Sequence, residues 1–186
     1  GKQGYEIASQ LVLYGANVIL ISGPTNLDPP PNLKFIQIKS ANEMYQKIRK
    51  ISKIDIGIFT AAVSDFKYKN ISKFKIKKNK KLNISLTKNI DILEKIGKSG
   101  KQRPKFLVGF AAETGGTNYG KKKLFEKNCD MIVYNKIDKK NNVFDSEYNK
   151  ITIITKNQIS KFGKMTKINC AKNILNHIYI NNSNNE

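Results

Sequence analysis

The chain has 186 residues, a length that suits one domain and can bury a substantial core. Its formal charge of +20 raises nucleic acid as a partner, because clustered Lys and Arg neutralise phosphates. Arg49 and Arg103 are the only arginines, however, and base-reading surfaces favour the arginine fork. A basic nucleic-acid module therefore stays only an alternative.

Gly4 to Tyr14 reads as a helix, with Ile7, Leu11 and Tyr14 at helical spacing and Gly15 as its stop. Val18 to Ile21 is a buried strand closed by Ser22-Gly23-Pro24, and Phe35 to Ile38 is the next strand. Ser40-Ala41-Asn42-Glu43 has the form of a capping box and opens a helix towards Ile51. Ile54 to Thr60 is a strand that runs into Ala61-Ala62-Val63-Ser64-Asp65. The basic stretch from Lys67 to Lys81 reads as a solvated loop that orders only over a ligand or a second subunit. Leu82 to Leu86 alternates like a half-exposed strand.

Further along, Ile90 to Lys98 reads as a short helix, Phe106 to Phe110 as a strand and Lys121 to Asn128 as a helix. Met131 to Val133 is a buried strand, and Val143 to Thr155 is a hairpin whose clearest strand is Ile151 to Ile154. Thr166 to Ile180 closes the chain as a helix, and 181–186 is expected to be a disordered tail. Helices alternating with buried strands give an α/β fold: a three-layer, Rossmann-like, mostly parallel sheet with helices on both faces, in one domain over 1–180.

Cys129 and Cys170 fit neither a metal spacing nor a disulfide framework, which suits a reducing cytoplasm. His177 is the only histidine and lies in an amphipathic stretch, so chemistry that needs a His base is excluded. No apolar run reaches membrane-spanning length and no signal-peptide pattern opens the chain. Small residues at the ends of buried strands, beside an acid or a basic loop, are what nucleotide pockets in open α/β sheets are made of. An NAD(P)-binding reductase is a second alternative, but Ser22-Gly23-Pro24 stands where a ribose-binding acid belongs.

The segments Gly1-Lys2-Gln3-Gly4, Ser22-Gly23-Pro24, Ala61 to Phe66 and Lys75-Ile76-Lys77-Lys78 occur in that order. Lys88 to Ile92, Val108 to Thr114, Lys123-Leu124 and Asp130 to Asn135 follow. Together they resemble the bacterial-type phosphopantothenate–cysteine ligase family, usually the C-terminal half of a bifunctional coenzyme A biosynthesis protein. The resemblance implies CTP-dependent ligation of 4′-phosphopantothenate with L-cysteine through an acyl-cytidylate. CTP rather than ATP is implied by the Lys-Ile-Lys-Lys and Lys-Asn-x-Asp-Ile segments, with Mg²⁺ carried on the triphosphate. FMN is expected only if an upstream flavin-dependent decarboxylase half is fused. A homodimer with the active site near its interface is implied as well.

Carried over position by position, Phe59, Thr60 and Ala61 lie against the nucleotide and Asp65 is a nucleotide-contacting acid. Lys75 is the catalytic lysine, acting on the phosphates and the intermediate. Ile90, Asp91, Ile92 and Leu93 line the base through backbone groups, Phe110 packs beside it, and Lys123 and Lys127 meet the triphosphate. No metal-ligating residue is implied. On residue chemistry alone Asp65 reads equally as a turn acid, the lysines as solvated surface and Phe110 as a core aromatic. Ile90 stands where the family commonly has proline, which should free a backbone N–H and loosen the turn. A strand and turn that the family carries ahead of Gly1 are not in this chain. The expectation is therefore a sheet interrupted between Val18–Ile21 and Ile54–Thr60, in an excerpt that is inactive alone.

Overall fold

The computed structural model describes residues 1–70, 74–75, 83–113, 116–136 and 146–183. In chain order it contains α1 (Lys2–Leu13), β1 (Ile19–Ser22), β2 (Lys34–Gln37), α2 (Ala41–Arg49) and β3 (Ile56–Phe59). Next come β4 (Phe66–Tyr68), β5 (Leu86–Lys88), α3 (Ile92–Gly97), a 3₁₀ turn (Gly100–Gln102) and β6 (Phe106–Glu113). The chain closes with α4 (Thr117–Glu126), β7 (Met131–Lys136), β8 (Tyr148–Thr155), β9 (Ile159–Thr166) and α5 (Lys167–Ser183).

Local chemistry accounts for the helix ends. Gly15, at φ 80°, stops α1, its N–H donating to Val12 and that of Ala16 to Leu11. Ser40 Oγ accepts from Glu43 N, while the Glu43 carboxylate reaches back one residue further than a standard box, to Lys39 N.

The main sheet runs β3-β6-β7-β8-β9, with β3, β6 and β7 parallel and β8 and β9 antiparallel. Period-two alternation splits its residues between two cores. Val108, Val133 and Ile153 meet Ile7 of α1 and Ile174 and Ile178 of α5 on one face. Leu107, Ile132 and Ile154 meet Met44 and Ile48 of α2, Ile92 and Ile96 of α3 and Leu124 of α4 on the other. The expected three-layer α/β arrangement is what the chain adopts.

β1 and β2 pair in parallel as a separate sheet. Between β1 and β3 lies a slot of about 560 Å³, lined by both strands, by Ile7 and Leu11 of α1 and by Met44 and Ile48 of α2. The interruption falls where it was expected. Both facing edges come from parallel pairs, so a strand laid in the slot would extend the parallel order across it.

Three readings need correction. Lys67 and Tyr68, assigned to the solvated loop, belong with Phe66 to a strand that pairs antiparallel with Leu86–Lys88; residues 71–73 and 76–81 of that loop, and Leu82 of the strand expected after it, lie outside the described residues. The hairpin at the C-terminal side is β8–β9, turning at Lys156-Asn157. β9 was missed because its Lys161, Gly163 and Lys164 break any apolar alternation, whereas pairing with β8 supplies what propensity lacks. Residues 181–183, assigned to a disordered tail, continue α5, and Asn181 Nδ2 donates to His177 O at 2.7 Å.

Gly97 closes α3 against the next turn of chain. A Cβ there would lie 1.9 Å from the carbonyl oxygen of Lys127, and a backbone atom cannot step aside cheaply. Gly97→Ala is therefore expected to cost about 3 kcal/mol, the upper end of ordinary overpacking. Urea titration checks this, and an unchanged midpoint would contradict the close approach.

Candidate active site

Phe59, Thr60 and Phe110 lie together at the carboxyl edge of the sheet, whereas Lys127 lies in the turn that leads into the opposite end of β7. β3 ends at Phe59, whose register partner on β6 is Gly109, so Thr60 stands beside Phe110. The first turn of α1 rests on this point, since a Cβ on Gly4 would come within 2.5 Å of Thr60 Oγ1. α1 starts without a side-chain cap, which leaves its positive dipole end at the edge where open α/β sheets bind ligands.

Phe59 and Phe110 share this edge but not a face. Phe59 packs on the α2–α3–α4 side and Phe110 on the α1–α5 side. A ligand that touches both must lie across the strand ends rather than along one face.

The loop after β3 is tied to the segment before α3. Asn89 N donates to Asp65 O at 2.7 Å, and Asn89 Nδ2 donates to Ser64 O at 3.0 Å. Asp65 itself is exposed, in a turn that leads into β4 and not into a helix. Ile90 N–H, expected to be released by the absent proline, is taken up by Asn89 Oδ1 at 2.9 Å. The turn is held by its own side chain, because Asn accepts from nearby backbone N–H groups.

α3 begins at Ile92, later than expected. Asp91 is its N-cap, Oδ1 accepting from Glu94 N at 2.9 Å. Ile92 is buried and Leu93 packs over Gly109, so what this segment presents outward is backbone together with Asp91.

The lysines differ from one another. Lys75 is exposed. Lys123 Nζ stands 6.0 Å from the centroid of the Tyr119 ring, with no carboxylate partner among the described residues. Lys127 Nζ, by contrast, pairs with Asp91 Oδ2 at 2.8 Å and Glu94 Oε2 at 2.9 Å. Burial alone would lower its pKa, but hydrogen bonds and charge from the two acids outweigh that and raise it.

Lys98 and Lys127 together hold Glu94 down at about 2, from an ordinary 4.5. A depressed carboxylate gives stability that is present above its unfolded pKa and is lost as pH falls through the folded one. The chain should therefore lose stability between about pH 5 and pH 2, and Glu94→Gln should flatten that slope. Denaturation across this range checks it; an unchanged slope in the variant would contradict the pairing.

Two polar atoms missed by the sequence reading lie on the α1–α5 side. Asn135 is 6% exposed, and its Oδ1 has no hydrogen-bond partner among the described residues. Gln3 Oε1 is also buried and without a partner among the described residues, while Gln3 Nε2 donates to Lys167 O. Lys2 pairs with Glu147 alongside, so the start of α1 and the start of α5 meet here. Buried orphan acceptors cost about 1–3 kcal/mol each and call for a donor. A polar residue ending the apolar run Met131 to Tyr134 was the available signal.

The thiols are chemically quiet. Burial pushes Cys129 up to about 12 and Cys170 up to about 11, far from the thiolate range of a nucleophile. Among the described residues no three His, Cys, Asp or Glu side chains cluster to hold a metal ion, and no helix is long and apolar enough to cross a membrane.

Residues 1–181 match the family described as DNA/pantothenate metabolism flavoprotein C-terminal domain. The chain belongs to this family. It is 42% identical over 184 residues to the coenzyme A biosynthesis bifunctional protein CoaBC of Borreliella burgdorferi, covering 96% of this chain and 46% of that protein. Against the Haemophilus influenzae protein of the same name it is 39% identical over 181 residues, covering 96% and 45%. The chain thus spans a little under half the length of these relatives. Among solved structures, the C-terminal domain of a CoaBC protein superposes with a TM-score of 0.77 at 35% identity, covering 97% of this chain and 82% of that one. A Streptococcus pneumoniae flavoprotein of the family shares the fold, with a TM-score of 0.76 at 19% identity.

Proposed function

We propose that this domain performs the ligase step of coenzyme A biosynthesis, joining 4′-phosphopantothenate to L-cysteine at the expense of CTP. The observation that carries the reading is the docking of Asn89 onto Ser64 and Asp65 at the mouth of β3, within a chain that matches the family over 1–181. The docking supports one continuous cleft running from the β3 loop to the cap of α3.

In the first half-reaction a carboxylate oxygen of phosphopantothenate attacks the α-phosphorus of CTP, and pyrophosphate leaves. The cysteine amine then attacks the acyl carbon, gives up a proton to solvent and expels CMP. Both halves need charge neutralisation and alignment rather than a protein nucleophile, in keeping with the quiet thiols. Lys75 would neutralise charge on the phosphates, Lys123 would hold the triphosphate, and the start of α1 would face anionic oxygens. The backbone of Ile90 to Leu93 and the Phe110 ring would set the base. Asn135 and Gln3 would accept from ligand hydroxyl or amine groups.

A homodimer suits the β4–β5 ribbon. Phe66, Tyr68 and Leu86 are all exposed on it, and an isolated two-stranded ribbon is marginal in water. Phe66→Glu should lower the mass measured by light scattering from dimer to monomer, and a dimer that survives the change would contradict this placement. An upstream flavoprotein half and a cytoplasmic setting complete the reading. It is tested by pyrophosphate release: CTP with phosphopantothenate is expected to give a single burst, sustained release needs cysteine as well, and release without phosphopantothenate would contradict it.

A further inference from the structure

α1 starts at the carboxyl edge of the sheet beside Thr60 and runs back along it, so the helix ends at the amino edge. α5 runs the same way. Gln3 Nε2 donates to Lys167 O where the two helices start, and Ile7 packs with Ile174 and Ile178 further along. Both helices therefore end at the amino edge. Each end carries large apolar side chains into solvent, Leu13 and Tyr14 on α1 and Tyr179 and Ile180 on α5. Exposed apolar residues scattered singly are ordinary, but two pairs at one edge form a patch.

Ala16 and Asn17, just beyond Tyr14, line the near end of the slot between β1 and β3, together with Lys53, Ile54 and Asp55. A strand that continues the parallel order through the slot starts at this end, as β1 and β3 do. Chain that precedes such a strand therefore leaves the sheet beside Leu13 and Tyr14. The relatives carry about as much chain again outside the matched stretch, and the family description makes this domain the C-terminal part of a flavoprotein.

We propose, resting on the reading that a flavoprotein half precedes this domain, that Leu13, Tyr14, Tyr179 and Ile180 form the face on which that half docks. A connector that ends at the slot holds the two halves at an effective concentration on the order of millimolar, so a modest patch suffices. Four such side chains expose several hundred Å² at most. That fits a contact between domains of one chain and falls short of the roughly 800 Å² that each partner gives to a stable dimer. Lys53 and the Asp55–Lys105 pair make the mouth of the slot net positive. The docked surface is accordingly apolar with carboxylates at its border.

The experiment is tyrosine nitration of the full-length polypeptide, read peptide by peptide by mass spectrometry. Tyr119 and Tyr148, 46% and 49% exposed, are internal references for Tyr14 and Tyr179, at 64% and 72%. Left uncovered, the two patch tyrosines react at least as fast as the references. Docked, they are expected to react roughly tenfold more slowly, the protection of a contact closed about nine-tenths of the time. The double variant Leu13→Glu, Ile180→Glu alters exposed positions only, so its melting temperature should hold. It should restore the reactivity of Tyr14 and Tyr179 while the mass by light scattering stays that of the wild type.

Patch tyrosines that match Tyr119 and Tyr148 in the wild type overturn the proposal. So does a double variant in which they stay protected, or one whose mass halves, because a second copy would then be the occupant. A full-length chain that purifies without flavin absorbance overturns the reading of an upstream flavoprotein half, and the docking with it.

Discussion

Lys75→Gln is expected to lower turnover by about 10²- to 10³-fold, the usual consequence of removing one preorganised group from a developing oxyanion. The side chain is exposed, so little core packing depends on it and the melting temperature should hold. Glutamine keeps the length and the hydrogen-bonding capacity but removes the charge. The loss should therefore fall on the rate of acyl-cytidylate formation and less on CTP affinity. Steady-state kinetics in a ligase-competent chain check this; near-normal turnover would remove Lys75 from the chemistry.

The second large effect concerns the slot between β1 and β3. Ladder groups on the slot-facing edges of both strands lack the neighbour that a continuous sheet would provide, and the slot is apolar on both faces. Helix α1 starts at the carboxyl edge, beside Thr60. A strand laid parallel to β1 and β3 would thus end close to Gly1 and join it through a short turn. Supplying about ten to fifteen residues, one strand and its turn, should pair both edges and bury apolar surface. A gain of about 3 kcal/mol would raise the melting temperature by roughly 6–12 °C for a domain of this size. Ligase activity should be near zero in 1–186 and present in the extended form. Amides of Ile19–Ser22 and Ile56–Phe59 that exchange equally fast in both forms would show that the slot does not take the strand.

Much of the fold was legible because its signals are local. The apolar runs at Val18, Ile54, Phe106 and Met131 all mark strands, those at Phe106 and Met131 buried on both faces and those at Val18 and Ile54 left half-exposed along the slot, and Ser40 with Glu43 announces α2. What could not be read depends on partners distant in sequence. β9 is a strand because β8 lies beside it, and β4 is one because Leu86–Lys88 returns to meet it. The site shows the same division. That Thr60, Asp65, Asn89 and Phe110 fall near one edge follows from the order of strands. The placing of Lys127 between Asp91 and Glu94 depends on the path of a side chain between two helices, which four-residue spacing cannot report. Asn89 taking over the Ile90 N–H is likewise a matter of one rotamer.

The most direct test of the ligase reading is to trap its intermediate. The strand-extended chain would be incubated with CTP labelled at the α-phosphate and with 4′-phosphopantothenate, cysteine being withheld. The expected result is label accumulating in an enzyme-bound acyl-cytidylate, released as CMP only when cysteine is added. Label that appears as CMP at the same rate without phosphopantothenate, or no adduct with CTP where ATP forms one, would contradict the account.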